Sequence, residues 1–149
     1  MYRLFCVTFL TILISSPASL YAQQHPNPSL SARDVVALQL EGLKQNNIEG
    51  LKQVWEFAHP SNKAITGPIE RFVVMMTAPN YRILLGHRKA EIKQILDQDD
   101  VAIFEVTVTG AAGGVVIYSW GLRKVTEGEQ KGSWMTVTVS PPLGTGNEI

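Results

Sequence analysis

The stretch FAHPSNKAITGPIERFVVMMTAPNYRILLGHRKAE, residues 57 to 91, marks the point at which a helical pattern gives way to a strand pattern. Before it, apolar residues recur every three or four positions, and after it they recur every second position. The stretch also contains two of the three histidines and three arginines, Arg71, Arg82 and Arg88. We therefore expect any specific function to lie close to this segment.

Two helices are predicted before and at the start of this stretch. Ser31 stands three residues before Asp34, a capping-box arrangement that begins a helix, and Val36, Leu40 and Leu43 then form one apolar stripe. A second helix is predicted over residues 49–58, where apolar positions again share one face. The sequence thus predicts two amphipathic helices.

A third helix is predicted inside the stretch. Residues 61–66 are interpreted as a polar connection after His59, which we expect to be an exposed residue at a helix end. Gly67, Pro68 and Glu70 suit the cap, first and third positions of the next helix. One further turn is predicted over residues 81–85, capped by Asn80 and ended by a glycine.

Four strands are predicted after the stretch. A short strand over residues 91–96 is followed by alternating apolar patterns over 102–108 and 116–122 and by a last strand over 134–139. The predicted fold class is α+β, with three N-terminal helices packed on a curved four-stranded antiparallel sheet. Residues 31–140 are expected to form a single domain.

Three motifs resemble a family of exported and plastid proteins that is classed as a domain of unknown function. They are Phe57-Ala58-x-Pro60-Ser61-Asn62, Ala64-x-Thr66-Gly67-Pro68-x-Glu70-Arg71-Phe72 and Tyr81-Arg82-x-Leu84-Leu85-x-His87-Arg88. The similarity extends roughly from Arg33 to Val139. It implies the nuclear-transport-factor-like (ketosteroid-isomerase-like, cystatin-like) cone fold, in which a pocket lies at the open end of the sheet. It implies no activity, because fold alone does not determine function.

The first 22 residues have the pattern of a secretory signal peptide. Arg3 precedes an apolar run of eleven residues, which is shorter than the roughly 20 that span a membrane. Cleavage is expected after Ala22, with Ala18 as the second choice, and the alternative to cleavage is retention as an uncleaved anchor. The predicted location is secreted or periplasmic, and we expect no membrane attachment after cleavage. A flexible leader is predicted over residues 23–30 and a disordered tail over 141–149.

Charge and cysteine content exclude several classes of function. Lys and Arg number 13, as do Asp and Glu, so loss of Arg3 with the signal leaves about one net negative charge. This balance gives no basic surface for nucleic acid. The single cysteine, Cys6, lies in the signal, and the histidines lack metal-ligand spacing. We expect no disulfide, no metal and no cofactor.

The candidate binding site combines aromatic and basic side chains. Tyr81, His87, Tyr118 and Trp120 are expected to line the cavity. Arg71, Arg82 and Arg88 are expected at its rim, where guanidinium groups bind carboxylates or phosphates. The alternatives are that the aromatic residues are core and that the arginines tie loops together. A small apolar or acidic molecule is the expected ligand.

Three classes of function follow. The preferred hypothesis is an exported module that binds a small molecule or a partner in the cavity. The second is an isomerase- or dehydratase-like enzyme with His87 or Glu70 as the acid/base group. The structural alternatives are that His87 only binds backbone groups and that Glu70 only satisfies N–H groups at the start of a helix. The third is a homodimerisation domain that uses the open face of the sheet, including Val115 and Ile117.

Overall fold

The computed structural model describes residues 23–140, an α+β arrangement of helices followed by an open antiparallel sheet. The helices are α1 (Ala32–Gln45), α2 (Ile48–Glu56), α3 (Pro60–Thr66) and α4 (Ile69–Met76), followed by a 3-10 turn, Arg82–Leu84. The strands are β1 (Lys89–Gln98), β2 (Val101–Thr109), β3 (Val115–Lys124) and β4 (Trp134–Val139). The predicted signal peptide and C-terminal tail lie outside the described residues.

Local sequence signals explain where α1 and α2 begin. Ser31 Oγ accepts from the backbone N–H of Asp34, and the Asp34 carboxylate accepts from the backbone N–H of Ser31. The predicted capping box is confirmed. Asn47 caps α2 by accepting from the backbone N–H of Gly50 at 2.8 Å. Both caps satisfy N–H groups that the first helical turn leaves free.

Two glycines allow α1 and α2 to pack closely. A Cβ added to Gly42 would lie 2.6 Å from the carbonyl oxygen of Gly50, and one added to Gly50 would lie 2.1 Å from that of Gly42. Real Cβ atoms do not approach a carbonyl oxygen so closely, so the backbones meet only because both side chains are absent. The sequence analysis did not identify this contact.

The prediction of three helices is wrong, because the described residues form four α-helices. The predicted polar connection over 61–66 is α3, which begins at Pro60 where the missing N–H is tolerated. His59 is its N-cap, not an exposed end of α2. Pro68, not Gly67, caps α4, and Asn80 does not cap the following turn, which begins after Tyr81.

The sheet has the predicted antiparallel meander order β1-β2-β3-β4. Its first strand is longer than predicted, with ten residues, because its exposed positions continue to pair with β2. One face of β2 and β3 is fully buried against the helices, as the alternation predicts, with Phe104, Val106, Tyr118 and Trp120 in the core. The pairing shifts register in β1 near Gln94 and between β3 and β4 near Gly121, and such bulges bend strands.

The junction of α2 and α3 covers part of the edge of β4. The Thr136 N–H donates to the Phe57 carbonyl at 2.9 Å, and the Thr136 carbonyl accepts from the His59 N–H at 2.8 Å. Residues 23–30 form no helix or strand, but Gln24 exchanges two backbone-to-side-chain hydrogen bonds with Gln53 of α2. Their predicted flexibility stays a prediction. The contacts between β4 and the junction of α2 and α3 hold α3 against the edge of β4.

Candidate functional site

A cavity of about 230 Å³ lies between the helices and the outer part of β4. All four α-helices, the 3-10 turn, β3 and β4 contribute to its wall. Much of the wall is apolar, and its larger side chains include Leu43, Phe72, Met76, Leu84 and Trp120. Ile65 of α3 belongs to the wall and is also 71% exposed, so the cavity opens to solvent beside α3.

Among residues 23–140, no charged side chain lies in the wall. Its polar side chains are neutral amides and hydroxyls: Gln39, Asn62, Thr66, Tyr81, Thr136 and Thr138. Binding cavities commonly combine an apolar wall with a few polar groups that orient the ligand. The volume is below the roughly 300–1,000 Å³ common for drug-sized ligands, so this cavity suits a small molecule.

Gln39 of α1 joins three elements at the inner part of the cavity. Its side-chain Oε1 accepts from Trp120 Nε1 at 2.9 Å and from Thr136 Oγ1 at 2.6 Å, while its Nε2 donates to the Val54 carbonyl at 3.0 Å. Gln39, Trp120 and Thr136 are each at most 2% exposed. The network therefore fixes one wall of the cavity with hydrogen bonds that exclude water.

Two tyrosines lie at the side of the cavity nearest the 3-10 turn. Tyr81 lines the cavity and donates to the Val139 carbonyl at 3.2 Å, and its ring stacks on Tyr118 with centroids 6.5 Å apart. Tyr118 is fully buried behind it and donates to the Asn80 carbonyl at 2.8 Å. Burial, with a smaller contribution from Tyr81, raises the pKa of Tyr118 to about 12, so it stays a neutral donor.

His87 is buried, but it is not part of the cavity wall. Its Nδ1 lies 2.8 Å from the Leu84 carbonyl oxygen. Because a carbonyl oxygen only accepts, Nδ1 carries the proton of this bond. The imidazole thus joins the 3-10 turn to the start of β1, which is the structural alternative considered for it.

The predicted rim residues lie on the surface. Arg71, Arg82 and Arg88 are exposed, as is Glu70, and none of the four belongs to the cavity wall. Within residues 23–140, these four side chains form no ion pair. Glu70 lies in the first turn of α4 but makes no capping hydrogen bond. The structure thus brings Tyr81 and Trp120 together at the cavity, with Tyr118 behind them, and leaves the charged candidates outside.

The start of α3 contains a histidine cap that the sequence analysis interpreted differently. The Ser61 N–H donates to His59 Nδ1 at 3.1 Å, so the ring must be neutral at that nitrogen. Burial first, and then the charge of Arg123, lower the pKa of His59. Asn62, one helical position beyond Ser61, donates to the Thr136 carbonyl at 3.2 Å and lines the cavity. The cap therefore supports a helix that forms the cavity mouth.

Gln39, Asn62 and Thr136 are wall residues that the sequence analysis missed. Gln39 lies three positions after Val36 and four after Val35, so it falls on the buried stripe of α1. A polar residue on such a stripe must find buried partners, which was a usable signal. Thr136 and Asn62 gave no comparable signal, because their roles depend on the contact between α3 and β4.

None of the helices within residues 23–140 is long and apolar enough to cross a membrane. In the same range, no group of three or more His, Cys, Asp or Glu side chains could hold a metal ion. The comparisons with curated proteins and with solved structures found no match. Residues 27–140 match the family described as Domain of unknown function (DUF4864), and since this is most of the chain, the protein belongs to that family.

Proposed function

We propose that this protein is an exported module that binds a small molecule in the cavity between the helices and β4. The main support is the cavity itself, which has a volume of about 230 Å³, a largely apolar wall and a few neutral polar groups. Export is supported by the signal-peptide pattern of residues 1–22 and corresponds to a secreted or periplasmic location.

The proposal includes the nuclear-transport-factor-like cone fold. Its support is the order of elements, in which four helices precede a four-stranded antiparallel meander, and the two register shifts that bend strands. A further support is the position of the cavity, which lies between the buried face of the sheet and the helices. In a cone of this kind, the open end of the sheet gives a ligand its entry.

Native mass spectrometry of the chain from Gln23 onward, purified without denaturant, tests this function. We expect a retained small mass that is released when the protein is unfolded. Met75→Trp should abolish retention, because Met75 lines the cavity and the indole would fill it. Val74→Trp is the matched control, since Val74 is the neighbouring residue on α4, is 69% exposed and does not line the cavity.

Homodimerisation is a second candidate, and the exposed face of the sheet favours it. Val115 is 48% exposed, and Ile117, two positions along β3 and therefore on the same side of the sheet, is half-buried. An exposed group of apolar residues commonly marks an interface. The same mass spectra would show a mass of two chains, and Val115→Lys should then convert the dimer to a monomer. A bare monomer in every spectrum, with no ligand regained after incubation with small molecules, would argue against both functions.

A further inference from the structure

The cavity wall selects against a charged ligand. In the part of the chain that the structure describes, no Asp, Glu, Lys, Arg or His side chain lies in the wall, and the exposed Arg71, Arg82 and Arg88 lie outside it. A carboxylate or phosphate bound inside would lose its water without gaining an opposite charge, which is strongly unfavourable. The acidic ligand considered from the sequence therefore fits this cavity poorly, and a neutral ligand fits it well.

Some groups in the wall can only donate or only accept, and they fix the direction of the neighbouring hydrogen bonds. Trp120 Nε1 only donates, so the Gln39 atom that faces it is the carbonyl oxygen. The Thr136 hydroxyl, 2.6 Å from that same oxygen, must then donate its one hydrogen to it. Thr136 can thus meet a ligand only through the lone pairs of its oxygen.

The hydroxyls of Tyr81 and Thr66 in the wall can also act toward a ligand only as acceptors. Tyr81 donates its hydrogen to the Val139 carbonyl, and Thr66 donates to the Asn62 carbonyl at 2.9 Å. Carbonyl oxygens only accept, so these hydrogens are also committed. Three hydroxyl oxygens in the wall, those of Thr66, Tyr81 and Thr136, therefore act toward a ligand as acceptors.

The wall also contains donors that are still available to a ligand, and they equal the acceptor oxygens in number. They are the second N–H of the Gln39 amide, the second N–H of the Asn62 amide and the hydroxyl of the exposed Thr138. A ketone, ester or ether can accept from such donors but offers no hydrogen to the three acceptor oxygens. A hydroxyl group uses both kinds, because it donates one hydrogen and accepts through its lone pairs.

We propose that the ligand is a small, neutral, largely apolar alcohol or phenol whose hydroxyl donates to one of these wall oxygens. This inference rests on the proposed binding function and adds the chemical class of the ligand. The apolar part of the alcohol would lie against Phe72, Met76 and Leu84, and its size is limited by the cavity of about 230 Å³. We therefore expect a ligand that both donates and accepts to bind more tightly than one that only accepts.

Isothermal titration calorimetry with four related probes tests the inference on the full mature chain. The probes are n-octanol, methyl n-heptyl ether, methyl hexyl ketone and octanoate. The alcohol and the ether have the same number of heavy atoms and differ in the donor. We expect the alcohol to bind about fivefold more tightly than the ether, as one added hydrogen bond would give. Octanoate should bind most weakly.

Single variants then locate the acceptor. Thr66→Val, Tyr81→Phe and Thr136→Val each remove one wall hydroxyl, and at least one of them should lower the affinity for the alcohol to that for the ether. Thr107→Val is the control, because Thr107 is on β2 away from the wall. Circular dichroism of each variant separates loss of binding from loss of fold.

The outcomes distinguish the two levels of the proposal. Equal affinities for alcohol, ether and ketone, or an alcohol preference that survives in all three variants, would overturn the ligand class while leaving the binding function in place. Tightest binding of octanoate would overturn it as well. If the folded protein binds none of the four probes, the binding function itself fails.

Discussion

The indole N–H of Trp120 on β3 donates to the side-chain oxygen of Gln39 on α1, at 2.9 Å and out of contact with water. The same oxygen accepts from Thr136 on β4, so one amide joins the helical layer to two neighbouring strands. The network also forms part of the cavity wall. The same three side chains therefore join the helices to the sheet and line the cavity.

Replacing Gln39 should destabilise the protein strongly. In Gln39→Ala, the Trp120 N–H, the Thr136 hydroxyl and the Val54 carbonyl all lose their partner. Each buried polar group left unpaired costs about 1–3 kcal/mol, so we expect a loss of at least about 2 kcal/mol in the free energy of unfolding. Urea denaturation measures it. Gln45→Ala, at the exposed end of α1, is the control and should change stability by less than about 0.5 kcal/mol. Equal effects of the two changes would contradict the role of the network.

The contact of α1 with α2 should tolerate no side chain at Gly50. A Cβ there would lie 2.1 Å from the Gly42 carbonyl oxygen, so Gly50→Ala must push the helices apart. We expect a loss of about 2 kcal/mol or more, although alanine favours helices over glycine by about 1 kcal/mol. Thermal unfolding measures the change. Gly114→Ala is a suitable control, because its Cβ would meet only the Ile83 side chain at an ordinary 3.6 Å. A Gly50→Ala protein as stable as the parent would contradict the close packing.

The sequence predicted the fold class well, because the period of apolar residues and the Ser31–Asp34 capping box are local signals. It missed α3, since polar residues after a proline are typical of a loop and the helix is stabilised by contacts with β4 that no local pattern reveals. Of the candidate site, Tyr81 and Trp120 were predicted from their aromatic character. His87 was assigned to the cavity because its place between turn and strand is visible in the sequence, whereas its hydrogen bond to Leu84 is not.

The alkaline limit of stability should depend on Tyr118. Its pKa is raised from 10.0 to about 12 by burial and by Tyr81, so the folded state holds the proton more tightly than the unfolded state. This contribution is complete below pH 10 and is lost as pH rises from 10 toward 12. Near neutral pH, Tyr118→Phe should be less stable than the parent by about 1 kcal/mol, because it loses the hydrogen bond to the Asn80 carbonyl. Between pH 9 and about 11, it should lose less stability than the parent.

Ultraviolet absorption provides the direct measurement for this prediction. The tyrosines of the mature chain are Tyr81 and Tyr118, because Tyr2 and Tyr21 lie in the predicted signal peptide. The folded protein should therefore show one phenol that ionises near pH 12, and Tyr118→Phe should remove that step. Absence of a step near pH 12 in the folded protein would show that Tyr118 is not held neutral by burial.

The histidine cap of α3 should make the cavity mouth sensitive to acid. His59 Nδ1 accepts from the Ser61 N–H, and protonation of that nitrogen would remove the hydrogen bond. Burial and Arg123 lower the pKa of His59 below its ordinary 6.5, so the unfolded state takes up a proton before the folded state does. This contribution to stability is complete above pH 6.5 and is lost as pH falls through and below that value.

The change His59→Asn separates this effect from other titrations. Asparagine also caps helices but does not titrate, so the variant should remain folded at pH 7.5 and lose less stability than the parent between pH 7.5 and pH 5. Chemical denaturation at both pH values measures the stability that the parent and the variant each lose. The protection factors for hydrogen exchange of the α3 amides, which correct for the intrinsic effect of pH, should fall at pH 5 in the parent but not in His59→Asn. If both proteins lose the same stability on acidification, the cap does not control the acid response, and the opening of the cavity beside Ile65 must be independent of His59.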